Sequence, residues 1–237
     1  MSFKNIQKFI VMIRKNCIAL ILFLATCSVF GQDFKFGILF DPTITWLNSD
    51  VNDVTREKAR LGLDLGMSVD YFFTRNYAFS TGISLFNMGG TLQYGNGITK
   101  FRTKDGLKKV GVGGDVKYKL QYLKIPVAIK FKTHRIGQFI YSANLGFDPM
   151  FRVASRANFD DVTDPENPVK LKNSKVNQEI KLMNLGWHFG LEVHYSLGQD
   201  AALFSGFSFL KTFTDITVRG PETITSSNLM LRIGVLF

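Results

Sequence analysis

The amino-acid sequence predicts an all-β chain: an eight-stranded antiparallel up-and-down transmembrane β-barrel, preceded by a cleaved signal peptide. Three observations lead there. Bulky apolar residues alternate with small or polar ones along most of the chain, the period of a strand rather than of a helix. The segments between these runs are by turns tight and long. The chain then finishes on SNLMLRIGVLF, residues 227–237, in which Leu229, Leu231, Ile233, Val235 and Phe237 share one face. In water that edge would template aggregation, so something must cover it.

The first 31 residues read as an export signal. Lys4, Lys8, Arg14 and Lys15 precede an apolar stretch from Ile18 to Ala25, and small residues lead to Gly31 and Gln32. A basic start, a short apolar run and a small-residue cut site define a secretory signal, with cleavage expected after Gly31. An uncleaved anchor would need a longer apolar run. Both cysteines, Cys17 and Cys27, fall in this segment, so the mature chain, 32–237, is expected to carry no disulfide. LATC (24–27) suggests a lipoprotein signal, but Thr26 is larger than the residue usual before such a cysteine. Without the signal, 25 Lys and Arg face 19 Asp and Glu, a net charge of +6. An exported basic chain meets anionic lipid headgroups or acidic partners, and no nucleic acid.

The strands follow in order. DFKFGILFD sets Phe34, Phe36, Ile38 and Phe40 on one face. LGLDLGMSVDY sets Leu61, Leu63, Leu65, Met67, Val69 and Tyr71 against Gly62, Asp64, Gly66, Ser68 and Asp70. YAFSTGISLF and LKIPVAIKF are the third and fourth, and Pro126, which cannot donate to a ladder, predicts an irregularity in the fourth. FIYSANLGF, LGWHFGLEVHY, ALFSGFSF and the C-terminal run complete eight. Runs of about nine to eleven residues suit tilted membrane-spanning strands. Tight connections fall at 74–76, about 133–137 and 198–200; long polar ones at about 42–60, 95–115, 153–183 and 211–225. Turns on one rim and loops on the other are the layout of an outer-membrane barrel, with the turns periplasmic. Tyr71, Tyr77 and Tyr195 flank the turns, where an aromatic girdle belongs.

Alternation alone does not say which face is outside. A soluble, lipocalin-like periplasmic carrier of small ligands would turn its apolar face inward and clothe its outside in Lys and Glu. Here the minor face is mostly Gly, Ser, Ala and Asn, which suits the narrow lumen of a small barrel, while the Phe/Leu/Val face suits lipid. The last strand is then covered by pairing with the first and by hydrocarbon. Leu231, Ile233, Val235 and terminal Phe237 match a C-terminal signal read by barrel-assembly machinery.

Charged residues on the minor face are the candidate site: Asp64, Asp70, Lys124, Lys130, His188, Glu192, His194 and Arg232. A charge in a narrow lumen needs a partner, and pairing of Glu192 or Asp64 with Arg232 or Lys124 would fill and stiffen the interior. His188, Glu192 and His194 invite a metal reading, but positions four apart on a strand are about 13 Å apart. A hydrogen-bond and ion-pair network is the better account, with no metal and no cofactor. No nucleophile elbow or phosphate loop occurs, so no catalytic residue is assigned. An eight-stranded interior is filled by side chains and leaves no open pore. His134 is read as a solvated turn residue. Recognition is expected in the loops, where DDVTDPENP adjoins VKLKNSK and where GLKKVGVGGDVKYK (106–119) reads as a basic hairpin extending strands three and four. Contact there with surface glycan, lipopolysaccharide or a protein stands beside the alternative of a merely solvated loop.

FKFGILFDPTITWL, NYAFSTGISLF followed by GG, and above all LQYLKIPVAIKFK resemble the PorT-like outer-membrane β-barrel family of Bacteroidota across essentially the whole mature chain. The resemblance implies a barrel in the outer membrane of a Gram-negative bacterium. Some members of that family serve type IX secretion and gliding, which would make a secretion-system protein a partner beside outer-membrane lipids and the assembly machinery.

Overall fold

The computed structural model describes residues 34–95, 99–103, 106–160, 170–198, 201–218 and 222–237. The signal segment 1–31, with Cys17, Cys27 and the expected cut between Gly31 and Gln32, lies outside them, as does most of DDVTDPENP. Thirteen strands are present and no helix is assigned among the described residues.

Eight staves close the ring: β1 (Phe34–Ser49), β3 (Arg60–Phe72), β4 (Tyr77–Tyr94), the pair β7 (Gly114–Lys124) and β8 (Val127–Lys132), β9 (Phe139–Asp160), β11 (Met183–Ser196), β12 (Ala202–Thr212) and β13 (Ile224–Leu236). Each pairs with its neighbours, and β13 returns to β1 in antiparallel register from Gly37↔Leu236 to Ser49↔Ile224. Phe36 and Phe237 exchange both backbone hydrogen bonds, at 2.8 Å each, so the terminal strand has no open edge. Closure satisfies the backbone internally, which hydrocarbon requires.

Pro126 does interrupt its stave. β7 and β8 keep one register against β4 (Ser84↔Lys124 and Thr81↔Val127) and against β9 (Lys124↔Met150 and Val127↔Phe147), with Ile125 and Pro126 between them. The local groups are satisfied otherwise: Ile125 N–H donates to Pro149 O at 2.9 Å, and Thr81 Oγ1 donates to Pro126 O at 2.8 Å.

On the turn rim β3–β4, β8–β9 and β11–β12 are joined by the short connections 73–76, 133–138 and 197–201. Exposed aromatic rings gather just inside it. Tyr77 meets Phe131 edge-on at 5.5 Å, and Phe139 lies 5.4 Å from Tyr195.

The loop rim departs from the sequence expectation. β1 continues to Ser49 and β9 to Asp160, so chain expected as loop from about 42 and from about 153 is strand. β2 (Val54–Lys58) adds to β4, β10 (Lys170–Lys175) adds to β9, and β5 (Thr99–Thr103) with β6 (Gly106–Val110) forms a separate hairpin. Residues 106–119 are therefore not one basic hairpin: 106–110 are the return arm of β5–β6, and 114–119 begin β7. The physical reason is a core. Leu47, Phe86, Met88, Leu92, Tyr94, Val116, Tyr118, Leu120, Tyr122, Phe159 and Ile180, among others, pack into one buried cluster inside the loop-side half. Their burial holds the staves together above the membrane band.

Candidate functional site

The turn-side half of the lumen carries the charged site. Alternation aims it: on β3, Asp64 and Asp70 are buried while Leu65, Met67 and Tyr71 are exposed, and on β11 His188, Glu192 and His194 are buried while Phe189, Leu191 and Tyr195 are exposed. Glycines opposite them give room; a Cβ on Gly190 would come within 2.5 Å of Asn144 Oδ1.

Glu192 is the hub. Its carboxylate takes Lys130 Nζ at 3.0 Å, Arg232 Nη1 at 2.8 Å and His194 Nε2 at 3.2 Å, with Asn144 Nδ2 at 3.1 Å and Ser142 Oγ at 3.3 Å completing the shell. Lys130 also holds Asp70 at 2.9 Å, and Ser80 Oγ donates to the other oxygen of Asp70 at 2.6 Å. Arg232 Nε reaches Asp41 Oδ2 at 3.2 Å, while Asp41 Oδ1 accepts Ile233 N–H at 3.1 Å, beside Pro42, which has no N–H of its own. Two further pairs sit nearby: Asp64 with Lys124, and Asp148 with His188 at 2.7 Å. The structure thus brings all eight sequence candidates into the lumen in three groups. It joins Glu192 to His194 and separates His188 onto Asp148.

Two carboxylates of the lumen network, Asp41 and Asp148, are absent from the sequence candidates. Each precedes a proline, Pro42 or Pro149. The signal was present: inward parity runs Gly37, Leu39, Asp41 on β1 and Ser142, Asn144, Gly146, Asp148 on β9.

Chemically, the arrangement is a buried salt-bridge lattice. Removing one partner from such a pair leaves an uncompensated charge, at a cost of roughly 3–5 kcal/mol. A small cavity of about 50 Å³ lies among Asp41, Asp64, Lys124, Asp148 and His188, of a size and polarity that hold one or two water molecules. Leu39, Phe204 and Leu236 form an apolar plug toward the turn rim, and the Arg232 guanidinium lies 5.8 Å from the Phe204 ring centre. Ser142, His194 and Glu192 touch, but the same ring nitrogen, Nε2, faces Ser142 at 2.7 Å and Glu192 at 3.2 Å. A catalytic triad uses the two nitrogens for separate partners, and this one does not. Among the described residues, no group of three or more His, Cys, Asp or Glu side chains is placed to hold a metal ion.

The loop side is ordered by side-chain bonds to backbone. Arg152 caps the carbonyls of Asn177 and Ile180, and Glu179 Oε1 accepts Arg102 N–H at 2.9 Å. Asp215 collects Lys181 Nζ at 3.0 Å, Thr217 N–H at 3.0 Å and Ile224 N–H at 3.0 Å. Partial burial alone would raise its pKa, but the Lys181 ammonium and the N–H groups of Ile224 and Thr217 outweigh it and hold the carboxyl below the usual range.

Leu231, Ile233 and Val235 point outward on β13, Phe237 just past its end is exposed, and His134 is exposed in its turn. The polarity is opposite to that of a lipocalin in this half: the lumen is charged and the outside apolar.

A search of curated proteins finds no match to this chain. Among solved structures, it is similar to Neisserial surface protein A (11% identity, 85% of this chain and 95% of that one, TM-score 0.44). It is also similar to the outer membrane protein OprG from Pseudomonas aeruginosa (12%, 86% and 96%, TM-score 0.43). A third is Ail, the attachment invasion locus protein of Yersinia pestis (11%, 87% and 100%, TM-score 0.39). Residues 30–218 match the family described as "Outer membrane protein beta-barrel domain", and the chain belongs to that family of bacterial outer-membrane barrels.

Proposed function

We propose that this member of the outer-membrane β-barrel domain family is a non-conducting barrel that acts by binding or scaffolding through its loop-side sheet, without catalysis. One observation carries the reading. The lumen is obstructed at successive levels by the Leu39–Phe204–Leu236 plug, the Glu192-centred lattice and the loop-side core, with cavities of about 50 Å³ among the charges and about 130 Å³ beside Asp70, Lys132 and His194. A filled lumen leaves the protein's rim and outer surface for function, and the strands that project past the apolar band present a stiff surface there. The mature protein starts after Gly31 in this reading, and Leu231, Ile233, Val235 and Phe237 serve its assembly.

The resemblance to the PorT-like family adds a finer reading, an accessory role at a type IX secretion or gliding apparatus. YLKIPVAIK, which carries that resemblance most strongly, supplies here the buried Tyr122, the lumen cations Lys124 and Lys130 and the strand break at Pro126. Crosslinking from loop-side positions in whole cells tests it through the identity of the captured partner.

The test of the main reading joins two measurements on full-length protein from outer membranes. Unboiled protein should migrate faster than boiled protein on a cold SDS gel, and planar bilayers containing it should show no steady channel. A stable conductance overturns the filled-lumen reading. Soluble periplasmic fractionation without a mobility shift would return the lipocalin-like carrier to first place.

A further inference from the structure

On the outer face of the loop-side sheet, three cations stand in one row across three strands. Lys119 on β7 lies directly opposite Arg156 on β9, and Arg156 directly opposite Lys175 on β10. Cross-strand partners have Cβ atoms about 5 Å apart, and like charges placed so destabilise a sheet. None of the three forms an ion pair with the carboxylate of a described side chain. Exposed Lys117 and Lys172 extend the patch along β7 and β10.

The row is built rather than incidental. β10 carries a bulge between Leu171 and Ser174, and within it Asn173 adopts φ 58°, the only non-glycine residue with positive φ among those described. A non-glycine residue in that region is uncommon and must be held. Asn173 N–H donates to Asn158 Oδ1 at 2.9 Å, and its own Oδ1 accepts Lys119 Nζ at 2.9 Å. The strained residue therefore fixes one ammonium in the row through a neutral acceptor and leaves its charge uncancelled.

Height supplies the ligand. Val153 is 56% exposed on the apolar band of β9; past the bulge opposite Gln121 and Tyr122, Arg156 follows three residues on, about 10 Å along the strand. On β7, Lys119 is four residues above half-exposed Leu123 on the same face. Cations a short reach above a lipid-facing band meet the headgroups of the outer leaflet, and long Lys and Arg stems reach back toward them.

We propose that Lys119, Arg156 and Lys175 bind the phosphates of a phosphorylated outer-leaflet glycolipid, Arg156 as the planar fork and the two lysines as flanking point charges. The proposal rests on the outer-membrane reading above and deepens it by naming a ligand.

The test uses full-length protein purified in detergent and labelled lipopolysaccharide, intact or dephosphorylated. The wild type should prefer the intact glycolipid, and the K119Q/R156Q/K175Q variant should bind it on the order of 100-fold more weakly, from about 1 kcal/mol per cation. K119R/K175R should bind within about threefold of wild type. Equal binding of the dephosphorylated form, or an undiminished triple variant, overturns the site. So does full competition by inorganic phosphate, which would make the free ion the ligand, or tighter binding of a sulfated polysaccharide, which would make it a glycan surface. A retained mobility shift on unboiled gels shows that the triple variant is folded. Should the triple variant not fold, the comparison of intact with dephosphorylated glycolipid on the wild type still decides. Absence of the shift in the wild type overturns the barrel, not the row.

Discussion

Along β4 the inward positions are first Ala78, Ser80, Gly82 and Ser84, with Tyr77, Phe79, Ile83 and Leu85 outside. Beyond Leu85 the same strand turns Phe86, Met88, Leu92 and Tyr94 inward and Asn87 and Gln93 outward. β7 crosses the same boundary from the other direction, with Val116, Tyr118, Leu120 and Tyr122 inside before Lys124. The parity never changes on these two staves; the polarity does. The turn-side half is wrapped in hydrocarbon and gains little from an apolar interior, so behind the Leu39–Phe204–Leu236 plug charges fill it and hold one another. The loop-side half stands in water, and there the hydrophobic effect builds an ordinary core. One barrel is thus held together by two different forces, and each should fail separately.

Breaking the charged half should have the largest effect. Glu192→Leu leaves Lys130 and Arg232 without their shared carboxylate and is expected to cost roughly 3–5 kcal/mol. The measurement is the temperature at which the fast-migrating band disappears. No drop would mean that the lattice is decorative. Leu92→Ala, in the other half, should cost about 2–5 kcal/mol by opening a cavity in a fully buried cluster. Its loss should appear as protease cleavage of the loop-side strands while the membrane-embedded part keeps its mobility shift. Loss of both together would join the halves into one cooperative unit.

The outer faces sharpen the contrast. Leu145→Arg places a charge on the lipid face and should cost about 2–4 kcal/mol. Thr55→Arg, exposed on β2 at the loop side, should stay within about 0.5 kcal/mol. Denaturant titration of both folded variants in the same detergent gives the comparison, and equal costs would remove the boundary drawn at Leu85.

The boundary also explains what could be read from sequence. The eight staves, the closure on Phe237 and the inward set Asp64 to Arg232 all follow from parity on a lipid-facing strand. On the loop-side half the chain from about 42 and from about 153 reads as loop and is strand. Apolar inward residues with a polar outside, as in Phe86 and Asn87 on β4 or Tyr118 and Lys119 on β7, are the pattern of a soluble strand rather than of a lipid-facing one. Asp41 closes the run DFKFGILFD and Asp148 directly follows FIYSANLGF, just before Pro42 and Pro149, and β1 and β9 continue past both prolines. Nothing in the sequence pairs Lys119, Arg156 and Lys175, because that row depends on two registers and a bulge.

The smallest expected effect tests how the loop-side half is fastened at its rim. The Asp215 side chain is 23% exposed and its partner Lys181 41%, so screening limits their pair, and Asp215→Asn should cost only about 1 kcal/mol. Its pKa, and that of Asp50, which accepts Thr223 N–H at 2.6 Å, is depressed in the folded state. A depressed carboxyl contributes stability that is complete above the unfolded value, near 3.9, and lost as pH falls through the folded value. Residues 213–218 and 222–223 should therefore keep their exchange protection at neutral pH and lose it below about pH 4, ahead of the membrane-embedded staves. In Asp215→Asn the part of that acid loss owed to Asp215 should vanish, because the amide does not titrate. An unchanged acid profile would move the fastening of this rim from Asp215 to the apolar contacts of Ile216 and Ile224 beneath it.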